Sequence, residues 1–412
     1  MPAHELACPC CGAARQRIGQ ETSEQLDYIP ASLFVVEHIR PKYACKACEA
    51  NVIVADKPTQ PIEKGLAGPG LLAQTIVSKF CDHLPLYRLE RIYKRHGIEI
   101  PRSTTCDWMR RSAELLLPLY DLMHQRVLQS KVLHTDDTPV PVQDKNRDRT
   151  KTGRFWVYLG DADHALTVFD YTPDRTSNGP IKFLHRYGGF AGYLQADAYA
   201  GYDVIYEKGT PAGRVIEVAC WAHTRRKFYE ARATAPGPAH NAMARIRQLY
   251  KVESHVKELD ATQRYAQRQA EALPVLNDMR TWLLEQKAIA LPKSPIGQAI
   301  SYTLSNWDAL CRYAHDGDLT IDNNPAENAL RGIAIGRKNY LFMGSDRGGR
   351  TAAVLYSFVR SCERHHIDPF AYLRDVIRRI SDTPISQLAS LLPNHWQTPP
   401  AAPDPTASPS IL

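Results

Sequence analysis

Three acidic side chains stand at positions from which carboxylates could do chemistry together. Asp136 lies within the strand-like run "KVLHTDDTPVPV", Asp197 ends a later strand pattern in "YLQADAYAGY", and Glu327 opens a predicted helix in "DNNPAENALRGIAIGRKN". A carboxylate inside an apolar strand is costly unless it is paired or binds a cation. Two aspartates and a glutamate that converge repel one another, and two divalent cations would remove that repulsion. Oxygen-only ligands favour Mg²⁺ or Mn²⁺, which can assist an in-line phosphoryl displacement.

Each of these acids also has an interpretation without chemistry. Asp136 and Asp197 could be turn or strand-end aspartates. With Asn324 as N-cap, Glu327 would take the third position of a capping-box-like helix start. Because side chains alternate along a strand, Asp136 and Asp137 should point to opposite faces, so we expect only one of them to share a site with Asp197.

Four cysteines in two Cys-x-x-Cys pairs predict a structural zinc site near the start of the chain. Cys8 and Cys11 lie in "CPCCG", and Cys45 and Cys48 lie in "YACKACE". Four thiolates on two tight turns match the tetrahedral set that zinc prefers, and a short polar segment has little core without such a staple. Cys10 could replace either member of the first pair. Four reduced thiols in a small core are the alternative.

The composition indicates a globular protein with a mild preference for polyanions. The chain has 412 residues, of which 44% are apolar and 23% charged, and its net charge is +7. It contains no apolar run near the roughly 18 residues of a membrane span. Its start lacks the charged-then-apolar pattern of a signal peptide. We therefore expect a cytoplasmic protein without a membrane partner, and nucleic acid is the polyanion that the charge favours.

Residues 1–60 form the predicted zinc-binding domain, and residues 61–125 carry three helical patterns. The last of these, "TTCDWMRRSAELLLPLYDLM", contains Arg110 and Arg111, and Ser103 is its expected cap. Three helices with basic residues on the last one are typical of a helix-turn-helix DNA-binding domain. A plain packing domain is the alternative.

Residues 126–385 alternate strand-like and helical patterns, which predicts a mixed α/β sheet. Three strand patterns separated by hairpin-length gaps come first, followed by a helical stretch and further strands. Residues from about 224 to 316 are helical in pattern and polar on their outer faces. We interpret them as an insertion between the sheet and the helix of Glu327. Residues 386–412 form a C-terminal segment whose proline-rich end we expect to be disordered.

Six motifs in this order resemble those of the IS66 family of bacterial insertion-sequence transposases. They are "CPCCG…YACKAC", "DHLPLYRLERIYKRHGIEIPRSTTCDW", "HTDDTPV", "LQADAYAGYD", "CWAHTRRKF" and "DNNPAENALRGIAIGRKNYLFMGSDRGG", and the resemblance covers nearly all of residues 8–395. It implies a ribonuclease-H-like catalytic domain in which Asp136, Asp197 and Glu327 hold Mg²⁺ or Mn²⁺, with a helical insertion before the glutamate. It also implies zinc at the four cysteines of the two Cys-x-x-Cys pairs.

The resemblance gives further residues an expected role. Cys220 and His223 match a Cys-x-x-His signature of such transposases, for which we expect a structural or DNA-positioning role; a buried thiol and a helix-capping histidine are the alternative. A basic surface would bind the phosphates of the strand that is cut. The residues expected to bind DNA are Arg110, Arg111, Arg225, Arg226, Arg331, Arg337 and Lys338.

These features together predict a DNA transposase that cleaves element ends and joins the freed 3′ hydroxyl to target DNA. The resemblance implies a homo-oligomer that pairs two ends, and accessory proteins of the same element. Two departures stand out: Asp137 replaces the glutamate usual in the family, and Met1 precedes Cys8 by only seven residues, without a coiled-coil-like segment. Self-association or end binding by such a segment could be lost. A non-catalytic zinc-ribbon DNA-binding protein and a structure-specific nuclease are therefore the alternatives.

Overall fold

The structure is a computed structural model that describes residues 8–16, 21–26, 32–46 and 52–398. It divides into two compact units, residues 1–55 and residues 56–412. In the first unit, strand β1 (Lys42–Tyr43) pairs antiparallel with strand β2 (Ile53–Val54). None of the helices within the described ranges combines the length and the apolar character that a bilayer span requires. The proline-rich end predicted to be disordered lies outside the described residues from 399 onward.

A five-stranded sheet forms the centre of the second unit. The spatial order of its strands is β5-β4-β3-β6-β7, in which β3, β4 and β5 are antiparallel neighbours and β6 and β7 are added parallel to β3. The mixed sheet predicted from strand patterns is therefore confirmed. Its strands are β3 (Val132–Val142), β4 (Lys151–Leu159), β5 (Thr167–Thr172), β6 (Gly192–Gln195) and β7 (Val215–Val218).

Helices precede, interrupt and follow this sheet. Two of them cross over between parallel strands, one before β6 and one before β7. In chain order the helices are α1 (Pro69–Phe80), α2 (Leu86–Arg95), α3 (Arg102–Val127), α4 (Asn178–His185), α5 (Asp203–Lys208), α6 (Trp221–Ala231), α7 (Pro236–Val256), α8 (Ala261–Gln267), α9 (Leu273–Ile289), α10 (Pro295–Ser305), α11 (Trp307–Cys311), α12 (Asn324–Tyr340), α13 (Asp346–Arg364) and α14 (Pro369–Arg379).

Helix α13 covers the outer edge of the sheet at β5. The backbone N–H groups of Phe169 and Thr167 donate to the hydroxyl oxygens of Ser357 (2.8 Å) and Ser361 (2.9 Å). The two serines are four residues apart and therefore lie on one face of the helix. An open strand edge invites pairing with another chain, so these bonds satisfy the edge and protect it. They also fix α13 against the sheet that carries Asp136.

The three helices predicted before the sheet are present, but their details differ from the prediction. Helix α3 begins at Arg102 after Pro101, and no side chain caps it, so the expected cap at Ser103 is wrong. Pro101 supplies the fixed φ that starts a helix, which places Ser103 inside the first turn. Buried side chains of α3 include Trp108 and Leu116, and the helix packs against α13.

Helices α6 to α11 lie in the chain between β7 and α12, and all of them except α8 contribute to one buried apolar cluster. Ile246, Leu276 and Leu283 are fully buried in it. Next to this cluster, the chain that enters the segment lies beside the chain that leaves it. The Ala219 N–H donates to the Ala309 carbonyl (3.1 Å), and the Trp221 N–H donates to the Ile321 carbonyl (3.1 Å). The segment thus begins and ends at one place on the sheet.

Candidate active site

Two aspartates lie level with each other on adjacent parallel strands, Asp136 within β3 and Asp197 just beyond the end of β6. His134 of β3 is in register with Gln195 of β6, and Asp136 and Asp197 each follow two residues later. Strand β6 ends at Gln195, whereas β3 continues to Val142, so β6 leaves the later residues of β3 unpaired on this flank as far as the bridge of Val142 with Met343. A cleft of about 490 Å³ lies beside it. Its lining includes Asp136, Asp137, Thr138, His223, Arg226, Glu327 and Arg331.

Helix α12 brings Glu327 to the cleft, and its start differs from the predicted capping box. The N-cap is Asn323 and not Asn324, and its side chain makes no cap hydrogen bond. The Asn323 amide is occupied elsewhere, because its Oδ1 accepts from His134 Nδ1 (3.1 Å) and its Nδ2 donates to the Thr135 carbonyl (2.8 Å). Glu327 is consequently free of a capping role, and its side chain is 42% exposed.

The surroundings of Asp136 disfavour the ionised form of its carboxylate. Its pKa is raised to about 7, chiefly by burial and also by the negative charges of Asp197, Asp137 and Glu327, while the hydrogen bond that it accepts from the Asp137 N–H at 2.7 Å acts in the opposite direction. Burial also raises the pKa of Asp197, but there His223 and Arg175 act in the opposite direction. A raised pKa in an acid that has other acids around it is typical of carboxylates that bind a cation.

Asp137, in contrast, is fully neutralised by arginines. Its side chain is 2% exposed and contacts Arg154 Nη1 (2.8 Å) and Arg175 Nη2 (2.8 Å). Arg175 also approaches Asp197 Oδ2 at 3.8 Å and stacks on the ring of Tyr199. The expectation that only one of the paired aspartates would reach the site of Asp197 is therefore wrong. Both line the cleft, and Arg175 joins Asp137 to Asp197.

Cys220 and His223 lie at the start of α6 and face Glu327. His223 Nδ1 is 3.8 Å from Glu327 Oε1, and the Cys220 sulfur accepts the backbone N–H of Asn323 at 3.3 Å. Within the described part of the chain, these three residues are the set of potential metal ligands whose donor atoms all lie within 4.8 Å of one another. Asp136 and Asp197 are outside this set, so the three acids share the cleft region without forming so compact a group.

The basic residues predicted to bind DNA fall into two groups. Arg226 and Arg331 are exposed and line the cleft. Arg337 donates to Thr138 Oγ1 (3.0 Å) and to the Pro139 carbonyl (2.6 Å), so it fastens α12 to β3. The other four lie at exposed or partly exposed positions, and two of them pair with the same acid, Asp107. In full, Arg225 and Lys338 are exposed, Arg110 pairs with Asp107 and Glu114, and Arg111 pairs with Asp107.

Comparison with known families decides the affiliation of the chain. The family model described as "Transposase IS66 family" matches residues 64–351. The chain belongs to the IS66 family of transposases. Two further models, the zinc-finger binding domain of transposase IS66 and the IS66 C-terminal element, match residues 5–49 and 357–394. The resemblance seen in the sequence motifs is thereby confirmed over both units.

Similar chains occur in Sinorhizobium fredii (strain NBRC 101917 / NGR234). Protein y4hP is 35% identical over 415 residues, which cover 96% of this IS66 chain and 74% of y4hP. Protein y4jD is 35% identical over 403 residues, which cover 95% of this chain and 78% of y4jD. Among solved structures, the Drosophila P element transposase strand transfer complex gives a TM-score of 0.38 at 11% identity, covering 71% of this chain and 92% of that one. A likeness at that level carries no conclusion.

The zinc-binding unit of this IS66 transposase shows one of its two predicted turns. The Gly12 N–H donates to the Cys8 carbonyl (2.8 Å), and Gly12 has a φ of +74°, which glycine adopts without strain. The backbone N–H groups of Cys10 and Cys11 lower the pKa of the Cys8 thiol. Cys45 lies among the described residues and Cys48 lies outside them. The family match supports zinc at this unit, and the individual ligands stay predictions.

We expect Cys11→Ser to lower the zinc affinity of the purified transposase by at least ~100-fold, because it removes one of four thiolates. The matched variant Cys10→Ser should keep one zinc per chain at this unit, since Cys10 is not in the predicted ligand set. Zinc per chain after dialysis, measured by atomic absorption, compares the two. Loss of zinc in Cys10→Ser with retention in Cys11→Ser would exchange their roles.

Several site residues could not be found from the sequence. Arg154 and Arg175 neutralise Asp137 from a neighbouring strand and from the loop after β5, and neither position carries a local signal. Asn323 had a partial signal, because "DNNP" is typical of a helix start. Only the tertiary contacts show that its amide joins α12 to β3.

Proposed function

We propose that this chain is a ribonuclease-H-like transposase that cleaves DNA at element ends and transfers the freed 3′ end into target DNA. The observation that carries the proposal is that three acids from separate parts of the chain come near one another: Asp136 and Glu327 line one cleft, and Asp197 lies close enough to raise the pKa of Asp136. The strand order supports it, since three antiparallel strands followed by two parallel ones are the arrangement that the family resemblance implies. Helices α6 to α11 would then be the insertion before the catalytic glutamate.

The donor set at this cleft fits hard divalent cations. Asp136, Asp197 and Glu327 offer carboxylate oxygens, and the charge of Asp136 has no cationic side chain against it among its described contacts. We infer that these three residues would hold Mg²⁺ or Mn²⁺. Bound there, the ions would supply an activated water or hydroxyl and stabilise the leaving oxygen.

The neighbouring side chains would position these acids and the DNA. Arg175 contacts Asp137 and approaches Asp197, so it would tie Asp197 to Asp137 and oppose the rise in the pKa of Asp197. His223 stands beside Glu327 and restricts its rotation. Arg226 and Arg331 line the cleft without a recorded ion pair and would bind phosphates of the strand that is cut.

A strand-transfer assay tests the proposal. The substrate is a labelled duplex carrying the terminal repeat of the element that encodes the chain, incubated with purified protein, a target plasmid and Mg²⁺. We expect 3′ cleavage at the repeat and a slower-migrating joined product, both lost in EDTA. Cleavage without joining would identify a nuclease, and a mobility shift without cleavage would identify a non-catalytic DNA-binding protein.

We expect Arg331→Gln to weaken DNA binding about equally for specific and random duplexes. Arg331 lies one helical turn after Glu327 and lines the cleft, where a phosphate contact releases a condensed cation. The slope of log affinity against log salt concentration should fall by about 1. Arg378→Gln is the matched control, because Arg378 is exposed but pairs with Asp375 on α14. An unchanged slope in Arg331→Gln would place the phosphates elsewhere.

A further inference from the structure

We propose that Cys220, His223 and Glu327 bind one transition-metal ion of the zinc class at the cleft. This site is separate from the cysteines of the first unit, but it shares Glu327 with the proposed Mg²⁺ or Mn²⁺ site, whose other carboxylates are Asp136 and Asp197. The inference goes beyond the proposed DNA cleavage and holds whether or not the chain cuts DNA. Sequence reasoning favoured a structural or DNA-positioning role for the Cys-x-x-His pair, and the geometry points to metal binding instead.

The spacing of the donor atoms suits a small tetrahedral ion. One sulfur, one imidazole nitrogen and one carboxylate oxygen all lie within 4.8 Å of one another. Metal–nitrogen and metal–oxygen distances near 2.0–2.1 Å at a tetrahedral angle put these two ligands about 3.4 Å apart. His223 Nδ1 and Glu327 Oε1 are 3.8 Å apart, which is too long for a hydrogen bond but needs only a small side-chain rotation to hold an ion.

The ring nitrogen of His223 has an unmet bonding capacity. Its Nδ1 is buried and has no hydrogen-bond partner. Buried polar atoms normally have a hydrogen-bond partner. A buried imidazole nitrogen without one, beside a carboxylate and a thiol, therefore indicates a position where a ligand could bind. A hydrogen bond to Glu327 would not satisfy this nitrogen, because the 3.8 Å from His223 Nδ1 to Glu327 Oε1 is too long for one. A metal ion would satisfy the nitrogen and join it to both other donors.

The backbone around the three ligands is already fixed. Cys220 is the N-cap residue of α6, and its sulfur accepts the Asn323 N–H that precedes α12. The next residue, Trp221, donates its backbone N–H to Ile321 and its indole N–H to the Leu310 carbonyl (2.8 Å). Both helix starts are thus held together, and such outer hydrogen bonds are what orients metal ligands.

The mixed chemistry of the donors selects the class of ion. Thiolate and imidazole favour zinc, cobalt and similar ions, whereas Mg²⁺ prefers oxygen alone. Three protein ligands leave a fourth position, and His223 and Glu327 both line the cleft, so that position would open toward it. Three ligands with one open position are the pattern of accessible zinc sites, whereas purely structural sites are closed by four.

Cobalt titration of the metal-free full-length protein tests the site. Co²⁺ reports thiolate ligation through charge-transfer absorption in the near ultraviolet and tetrahedral geometry through visible bands. We expect the wild-type chain to bind one more Co²⁺ than Cys220→Ser or His223→Ala, with a weakening of at least ~100-fold at that site. Reading the result as a difference of one removes any dependence on the cysteines of the first unit.

Two further variants make the outcome decisive. Glu327→Gln changes a side chain that is 42% exposed, so its fold should survive, and it should weaken the same Co²⁺ without altering the melting temperature beyond ~2 °C. Cys311→Ser is the matched thiol control, because Cys311 is partly buried outside the site, and it should bind like wild type. Equal Co²⁺ stoichiometry and equal spectra in wild type, His223→Ala and Glu327→Gln would overturn the proposal.

Discussion

Asp136→Asn should abolish DNA cleavage and, in the absence of divalent cations, make the protein more stable at neutral pH. The loss of cleavage follows because a metal-holding carboxylate contributes several kcal/mol to the transition state, which is roughly 10³-fold or more in rate. The gain in stability follows because burial, together with the nearby acids Asp197, Asp137 and Glu327, disfavours the ionised carboxylate of Asp136. Few catalytic substitutions separate the two properties so clearly.

The sign of the pH dependence comes from the direction of the pKa shift. The pKa of Asp136 rises from 3.8 to about 7 in the folded protein, so folding favours the protonated acid. That contribution to stability is fully present below about pH 4 and is lost as the pH rises through about 7. Three pKa units at ~1.4 kcal/mol each set an upper bound of about 4 kcal/mol for the penalty at pH 8.

Urea unfolding at pH 5 and pH 8 in EDTA measures this penalty. The free energy of unfolding should fall less between the two pH values in Asp136→Asn than in wild type. Adding Mg²⁺ or Mn²⁺ should stabilise wild type and leave the variant unchanged. Asp170→Asn is the matched control. Burial in β5 raises the pKa of Asp170 to about 6, and this residue is not among those that line the cleft. It should alter the pH dependence similarly but keep cleavage and the response to Mg²⁺. Cleavage by Asp136→Asn at the wild-type rate would refute the assignment.

Glu253→Ala should destabilise the protein by about 3–5 kcal/mol, because it leaves the buried positive charge of Arg268 without its partner carboxylate. The side chain of Arg268 is 2% exposed and contacts Glu253 through Nε–Oε1 (2.9 Å) and Nη2–Oε2 (2.7 Å). Its Nη1 also donates to the carbonyls of Tyr313 (2.9 Å) and Asp316 (3.0 Å). This arginine therefore joins three parts of the helical segment between β7 and α12.

Two companions separate the stranded charge from the loss of packing. Asp278→Ala breaks the ion pair with Arg245. Because the Asp278 side chain is 65% exposed, this change should lower the free energy of unfolding by less than ~1 kcal/mol. The double variant Glu253→Leu with Arg268→Met removes both charges and should recover most of the loss. Urea unfolding of the four proteins gives the comparison. A loss in Glu253→Ala no larger than that in Asp278→Ala would show that Arg268 reaches water.

The local patterns of the sequence predicted the elements better than their junctions. The strand-like run "KVLHTDDTPVPV" predicted β3, and with it the position of Asp136. The helix start at "DNNP" was predicted one residue late, since either Asn323 or Asn324 satisfies the local pattern. The choice is made by hydrogen bonds from Asn323 to His134 and Thr135, which are almost two hundred residues away in the chain. No short-range rule contains that information.

Charged networks were the other part that the sequence could not reveal. A helical pattern assigns Arg268 to solvent, whereas the fold buries it beside Glu253. The same applies to Asp137, which alternation placed away from the site and which Arg175 connects to Asp197. In both cases the partners come from different elements, so their pairing depends on packing that only the assembled fold defines.

The hydrogen bonds of Ala219 and Trp221 to Ala309 and Ile321 have a consequence for how such chains can diversify. Because about ninety residues depart from and return to neighbouring backbone positions, their ends are held together by the scaffold whatever lies between. Lengthening a closed loop adds little entropy penalty once its ends are fixed. Relatives can therefore exchange, shrink or enlarge this lobe during evolution while the glutamate beyond it keeps its place.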